Sequence, residues 1–488
     1  MDLAAFMRGE TWGFDGQPVE HIETHAAHLF LAGDRAFKMK KPVKLPYLDF
    51  STIEKRKAVL DRELEINRAF APSIYLRTDE IRGEPVLVMN RFDQQALLSS
   101  HSRGITDAMA KELAGMVAAS HLLAPQRETP GSEIMKGLGA QLSNAFTDSP
   151  DIFQADEARE FQSLHQRHLT RLSPLLDQRS AQGLVRRCHG DIHCGNIVLL
   201  EGKPTLFDAI EFSEKIATID VLYDLAFLLM DLGRRDEKRV ANLIFNRYLH
   251  LRRAEEDLSG LAALPLFLAT RAGVRALVTA DLAHELEADA SAKQRKDALE
   301  YFHASMAWLK PVEPRLICVG GLSGSGKSTL AAKLAHEIGL APGALHVRSD
   351  VERKVLAGVD ETVHLPPESY SAAASEATYR AIFQRAKAAL KAGHSVILDA
   401  VFAREEERAA AEELAGSAKA RFTGLWLTAG PAILKSRVTG RRGDASDADA
   451  TVVEKQLGYQ PGEIRWKKVD VSGSIAVSET AVRQILQL

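Results

Sequence analysis

The chain has 488 residues, of which 45% are hydrophobic and 26% charged, with a net charge of −3 and three cysteines. That composition excludes a disordered, collagenous or coiled-coil chain, and at roughly 150 residues per domain the length suits three units or two unequal ones. The charge balance disfavours extended nucleic-acid binding: from Val312 onward 23 Lys and Arg face 21 Asp and Glu, against 39 and 44 before it, so neither part is a polyelectrolyte.

No uncharged run approaches the ~18 apolar residues a bilayer needs, and Asp2, Arg8 and Glu10 interrupt the segment where a signal peptide would carry its apolar core. Cys188, Cys194 and Cys318 are too scattered for a disulfide framework or a zinc site. The expectation is a protein of the reducing cytoplasm with no membrane partner. Nothing in the sequence fixes an oligomeric state.

In chain order, the first fifty residues read as strands. Residues 28–32 and 35–41 flank Gly33-Asp34, a two-residue turn signal that predicts a hairpin. Ser51 with Glu54 forms a capping-box pattern before a helix over 52–69, which Pro72 stops. Residues 86–89 predict another strand, and the pattern is then helical to about 182, with breaks near 125–131 and 149–150. Two strands over 196–200 and 204–207 bracket Glu201-Gly202-Lys203, and helices dominate from 219 to about 309. The prolines and charges of Lys310-Pro311-Val312-Glu313-Pro314 mark the boundary between a domain over 1–310 and one over 311–488. Beyond it, short apolar runs at 316–319, 345–347, 395–398, 422–427 and 468–471 alternate with helical stretches, the pattern of a parallel sheet covered by helices.

His189-Gly190-Asp191-Ile192-His193-Cys194-Gly195-Asn196 places an Asp and an Asn five apart in a loop before a strand, and Asp208 follows the next strand. In the protein-kinase scheme, an Asp in such a loop accepts the proton of the acceptor hydroxyl. An Asn five residues on and a later Asp hold Mg²⁺. With His189-Gly190-Asp191 in place of His-Arg-Asp and Phe207-Asp208-Ala209 in place of Asp-Phe-Gly, residues 20–300 resemble aminoglycoside phosphotransferases, choline kinases and related small-molecule kinases. The resemblance implies an α+β protein-kinase-like domain with Asp191 as base, Asn196 and Asp208 as metal ligands, and His189 as a brace. A strand Lys paired with a helix Glu completes such a nucleotide clamp. Lys38 and Lys40 share a strand face and both qualify, Lys38 being favoured, with Glu63 as the acid and Glu65 as its alternative. Residues 89–92 would form the hinge. Gly33-Asp34 is too short to be a Gly-x-Gly-x-x-Gly phosphate cover.

Gly321-Leu322-Ser323-Gly324-Ser325-Gly326-Lys327-Ser328 fits G-x-x-x-x-G-K-[ST] between a predicted strand and a predicted helix. In such a loop the backbone N–H groups of Gly321, Ser323, Gly324, Ser325 and Gly326 point at phosphate oxygens, Lys327 reaches the β/γ-phosphates, Ser328 ligates Mg²⁺ and Thr329 continues the first helical turn. Asp350, where the next strand ends, is placed as a base, with Arg353 one turn on; Asp399 closes a strand in a position suited to Mg²⁺. Arg437, Arg441 and Arg442, followed by Asp444 and Asp447, read as a mobile lid that stabilises a transferring phosphoryl group. Together these residues resemble the small P-loop kinases of hydroxyl groups, such as gluconate kinases, chloramphenicol phosphotransferases and polynucleotide 5′-kinases, from about Arg315 to the end. The resemblance implies an α/β P-loop kinase domain with a parallel sheet, and Arg353 as a substrate or phosphate contact.

As a whole the chain resembles fusion proteins described as bifunctional aminoglycoside phosphotransferase/ATP-binding proteins. The expectation is an enzyme with two phosphoryl-transfer sites, each moving the γ-phosphate of ATP, with Mg²⁺, to a hydroxyl of a small molecule. A polynucleotide 5′-hydroxyl as the acceptor of the second domain, and a nucleotide sensor in one domain gating the other, are the alternatives.

Overall fold

The computed structural model describes residues 3–24, 26–45, 48–101, 104–440 and 445–488. The chain divides into two compact units, Met1–Leu138 with Ser173–Asp231 and Gly139–Leu172 with Leu232–Leu488.

The first unit is built on an antiparallel sheet of β1 (Val19–Glu23), β2 (Ala27–Ala32), β3 (Arg35–Lys40), β6 (Tyr75–Ile81) and β7 (Glu84–Asn90), in the order β1-β2-β3-β7-β6. Between β3 and β6 come the short pair β4 (Lys44–Leu45) and β5 (Leu48–Asp49). Successive strand residues point to opposite faces, and β3 uses this fully. Phe37 and Met39 join Phe6, Trp12, Phe30 and Val88 on one face, where Trp12 stacks on Phe37 at 4.4 Å. Ala36 joins Leu60, Tyr75, Leu87 and Met89 on the other, so Lys38 and Lys40 are carried to that side as well. This second face is covered by the Ile53–Phe70 helix, whose Leu60, Glu63 and Asn67, one turn apart, are buried against the sheet.

Two small antiparallel pairs complete the unit. β8 (Val185–Arg187) pairs with β11 (Thr218–Asp220), and β9 (Ile197–Leu200) with β10 (Lys203–Leu206). The hairpin at Gly33-Asp34 and the pair around Glu201-Gly202 stand where the sequence puts them. β6 carries a weaker apolar pattern and the sequence does not announce it; β1 lies in the stretch that reads as strands, but Leu3–Phe6 and Gly9–Trp12 in the same stretch are short helices. The helix cap is Thr52, whose hydroxyl accepts the Lys55 N–H, and not Ser51, which instead binds the Asp49 carboxylate. A neighbouring acidic side chain captured the first hydroxyl and shifted the cap by one residue.

In the second unit, Phe146, Phe153, Phe161 and Phe302 form an aromatic cluster beside the antiparallel helices Leu264–Glu285 and Ala288–Trp308. The span Glu255–Glu285 is long and apolar enough to cross a bilayer by length and composition, but 67% of its most apolar window is buried in the fold, as in a core helix. β12 (Arg315–Gly321), β13 (Leu345–Arg348), β14 (Val396–Asp399), β15 (Arg421–Thr428) and β16 (Lys467–Asp470) then form a fully parallel sheet in the order β13-β14-β12-β15-β16. Ile317 and Val319 on one face pack on Leu330, Leu334, Val482 and Leu486 of the Lys327–Leu334 and Ile475–Leu486 helices. From β12 the chain runs out to β13, returns to β14, and then crosses to β15 on the other side. The order reverses at the carboxyl end of β12, where open α/β sheets bind ligands.

Candidate functional site

Each unit holds its own cluster of charged residues. In the first, Lys38 Nζ donates to Glu63 Oε1 at 2.6 Å and to Asp208 Oδ1 at 3.0 Å. Lys40 Nζ lies 2.7 Å from Glu63 Oε2 and 2.7 Å from Glu211 Oε1, so each oxygen of the fully buried Glu63 carboxylate has its own ammonium. Burial opposes the charge on Lys38, yet Asp208 and Glu63 outweigh it and hold the ammonium well above its ordinary pKa. Burial likewise opposes the Glu63 charge, but the two lysines keep its pKa low, whereas Glu211 is pushed up by burial and by Glu63. Glu65, the alternative acid, is instead exposed beside Arg62.

Asp208 is set by its backbone. It adopts a left-handed φ of 58°, rare for a non-glycine residue; its N–H is bound by Tyr75 Oη at 3.0 Å. The next residue, Ala209, is gripped on both sides by the Asn67 amide, at 2.7 and 3.2 Å. The carboxylate is thereby aimed at Lys38 while remaining 42% exposed.

The loop before β9 is held from behind. The His189 ring engages the Phe207 carbonyl at 3.0 Å and accepts the Asp191 N–H at 3.3 Å, and burial lowers its pKa, so it braces as a neutral ring. Asp224 Oδ1 accepts the Gly190 N–H at 3.1 Å and Asp231 Oδ2 the Cys194 N–H at 2.8 Å, from the Val221–Arg234 helix. In front, Asn196 Nδ2 donates to Asp191 Oδ2 at 2.8 Å, and His193 Nε2 lies 3.4 Å from the same oxygen. Asp191 is 35% exposed. Asn196 and Asp208 supply hard oxygen donors of the kind Mg²⁺ takes, so these residues fit such an ion. The sequence reading missed Lys40 as a second partner of Glu63, and also Glu211, Asn67, Tyr75, Asp224 and Asp231. For the last two a signal existed: acids seven apart on a helix share a face.

In the second unit β12 ends at Gly321 and the helix opens at Lys327, as the motif requires. Gly324 has φ 82°, and a Cβ there would lie 2.4 Å from the Leu434 carbonyl oxygen, so only glycine suits the wrap. Gly321 and Gly326 also have positive φ. The Ser323 N–H is bound by Gln456 Oε1 at 2.7 Å, and Lys327 Nζ contacts the Leu322 carbonyl at 3.2 Å. Ser328 is half-buried and Thr329 exposed in the first helical turn.

Asp399 closes β14, beside the loop at the end of β12. His346 Nε2 and Arg348 Nε each lie 3.6 Å from its Oδ2, too far for a hydrogen bond. Burial opposes its charge, but His346, Arg348 and Lys327 lower its pKa to about 2. Asp350 occupies the first turn of the Ser349–Leu356 helix and not the end of the strand, where the sequence puts it, because β13 stops two residues earlier at Arg348. Burial and Asp399 push its pKa up, against Lys327 and Arg348. Lys327, Arg348, Asp350 and Asp399 therefore share one electrostatic neighbourhood, to which the sequence reading did not assign Arg348. Asp399 Oδ2 and Ser325 Oγ are buried without hydrogen-bond partners. Such orphaned oxygens beside a phosphate-type loop fit a divalent cation and a nucleotide.

Arg353 donates to the Ser369 carbonyl at 2.7 Å and stacks 4.8 Å over the Tyr370 ring. Asp447 accepts from Lys354 at 2.6 Å and from Tyr370 Oη at 2.5 Å. Arg437 is not brought to the loop; it donates to the carbonyls of Val471 and Gly473. Arg441, Arg442 and Asp444 lie outside the described residues.

Residues 53–264 match a family described as the phosphotransferase enzyme family, and residues 316–461 match a family described as an AAA domain. An uncharacterized protein of Mycobacterium tuberculosis is 29% identical over 469 residues, 92% of either chain. Among solved structures, a gluconokinase from Sinorhizobium meliloti shares 23% identity over 36% of this chain and 96% of its own, with a TM-score of 0.25. The GDP complex of an aminoglycoside 2′-phosphotransferase shares 17% over 62% and 98%, with a TM-score of 0.41.

Proposed function

Since the chain joins an aminoglycoside-phosphotransferase-like domain of the phosphotransferase enzyme family to a P-loop domain of kinase type, we propose that it has two ATP-dependent phosphoryl-transfer sites. Each moves the γ-phosphate of Mg·ATP to the hydroxyl of a small molecule in the cytoplasm, with the functional division between 1–310 and 311–488. The observation that carries this reading is the placement of Lys38, bonded at once to buried Glu63 and to half-exposed Asp208.

In the first site, Lys38 is a fixed cation for the phosphates and Glu63 locks its direction. Asp191, held by Asn196 and reachable from solvent, accepts the proton of the acceptor hydroxyl as its oxygen bonds to the γ-phosphorus and the bond to the ADP oxygen breaks. Asn196 and Asp208 would hold the metal. In the second, the loop amides and Lys327 cradle the phosphates while Ser328 and Asp399 would hold the metal. Asp350 is the base there, its raised pKa bringing it toward the range in which a carboxylate accepts a proton readily. Arg353, with Arg441 of the lid, would stabilise the transferring group, whereas Arg437 is held by the Val471 and Gly473 carbonyls. Mg²⁺, when bound, neutralises charge on the phosphate oxygens in either site.

The test is ADP formation from Mg·ATP against a panel of sugars, amino alcohols, nucleosides, aminoglycosides and 5′-hydroxyl oligonucleotides, in wild type, Asp191→Ala and Lys327→Ala. Each acceptor-dependent activity should vanish in one variant and survive in the other. Nucleotide binding without any acceptor-stimulated turnover would overturn the reading.

A further inference from the structure

β13 is an edge strand of the parallel sheet, so one row of its N–H and C=O groups has no strand partner. The Lys238–Arg252 helix supplies one from its side chains. Asn246 Oδ1 accepts the His346 N–H at 2.7 Å, and the Nδ2 groups of Asn242 and Asn246 donate to the Ala344 carbonyl at 3.0 and 3.2 Å. Asn242 and Asn246, four apart, share a helix face and act as a surrogate strand. At the end of this helix Arg253 donates to both oxygens of the buried Glu352, at 2.8 and 3.0 Å, and Arg247 pairs with Glu361 at 3.0 Å. The elements gripped in this way carry the P-loop chemistry. His346 faces Asp399 Oδ2, one of the buried oxygens without a hydrogen-bond partner, and Glu352 lies between Asp350 and Arg353 on one short helix.

We propose that Asn246, on a helix more than sixty residues before the P-loop domain begins, is a positioning residue for the divalent metal of that domain: through the His346 N–H it sets β13 and so the donor geometry of Asp399. This rests on the reading of the loop as a Mg·nucleotide site. The chain's own geometry supports the direction of the effect, because the phosphate cradle lies on β12 and its helix, which this helix does not hold through Asn246. Loss of Asn246 therefore separates metal binding from phosphate binding. Residues that orient a ligand from behind commonly change metal affinity by about 10- to 100-fold.

The experiment is calorimetric titration of the full chain with ADP, with and without Mg²⁺, in wild type, Asn246→Ala, Asn246→Asp and Lys327→Ala. The signal that Lys327→Ala removes belongs to the P-loop. For that signal, Asn246→Ala should leave metal-free ADP affinity unchanged and lose about tenfold of the gain that Mg²⁺ confers. Asn246→Asp, which keeps the oxygen that accepts the His346 N–H but loses the Nδ2 donor to Ala344, should retain part of that gain and more of it than Asn246→Ala. Asn242→Ala, which removes one donor to Ala344 and the Oδ1 that accepts from Asn246 Nδ2, should show a smaller loss of the same kind and serves if Asn246→Ala does not fold. An undiminished Mg²⁺ gain in Asn246→Ala overturns the proposal, as does an equal loss of metal-free and metal-loaded affinity. If Lys327→Ala removes no signal, the P-loop reading itself fails and this inference goes with it.

Discussion

Lys38 and Lys40 hold opposite oxygens of one carboxylate: Lys38 binds Glu63 Oε1 at 2.6 Å and Lys40 binds Oε2 at 2.7 Å. The two lysines differ in their second partner, which is the half-exposed Asp208 for Lys38 and the buried Glu211 for Lys40. Lys40→Ala strands the buried Glu211 carboxylate and leaves Glu63 one ammonium, and should lower stability by about 3 kcal/mol in chemical denaturation. Lys38→Ala leaves Glu63 one ammonium, and should abolish turnover at the Asp191 site with the smaller stability loss. Equal stability losses in the two variants would contradict this division.

The Val221–Arg234 helix fixes the Asp191 loop by two carboxylates seven residues apart. In Asp231→Ala the Cys194 N–H loses its acceptor, which should misplace Asp191 and Asn196 together. Turnover at that site should fall about tenfold or more, while ADP affinity at the Lys38 cluster stays within about twofold. Steady-state kinetics and calorimetry on one preparation decide it.

Gly324→Ala forces a Cβ against the Leu434 carbonyl oxygen at 2.4 Å in a left-handed backbone. ADP affinity at the P-loop should fall by about tenfold or more, since cradle geometry and strain both suffer. Gly416→Ala is the control: it lies within the Glu405–Ser417 helix with no atom within 4 Å of a built Cβ, and should leave affinity unchanged and stability equal or slightly higher.

His394 is buried, engages the Gly343 carbonyl at 2.9 Å, and burial lowers its pKa from 6.5 to about 4. Because the folded value lies below the unfolded one, the unfolded chain binds more protons between about pH 4 and 6.5. Stability is therefore full above about pH 6.5 and falls as the pH drops toward 4, by on the order of 3 kcal/mol from this residue. Urea unfolding across that window should show the loss, and His394→Gln should flatten the slope. An unchanged slope in the variant would count against it.

Much of the fold was legible where apolar pattern and turn chemistry agreed. The five parallel strands stand within a residue or two of the runs read from the sequence, and for the central strands β12, β14 and β15 the reason is that strands buried on both faces need continuous apolar residues. β6 was not legible: only Tyr75 among its residues is fully buried, so the pattern that announces a half-buried strand is missing. For the site, spacing pointed to Asp191, Asn196 and Asp208, which lie on a loop and a strand end. It could not show that Tyr75, Asn67 and Glu211 converge there, since those contacts span 133, 142 and 171 residues and leave no local trace. The shift of the cap from Ser51 to Thr52 is likewise a competition that depends on where Asp49 points.

The Ser323 N–H has a single hydrogen, and Gln456 Oε1 already holds it. A phosphate oxygen arriving at that amide must take it from the glutamine, so the step is an exchange of acceptors whose net gain is smaller than that of a new bond by about 1 kcal/mol. Gln456 sits on the Ala450–Leu457 helix, and the same exchange releases one of the ties between that helix and the loop. At the proposed phosphate site the glutamine oxygen would thus stand in for a phosphate oxygen, and its displacement would free one tie of a helix the phosphate need not touch.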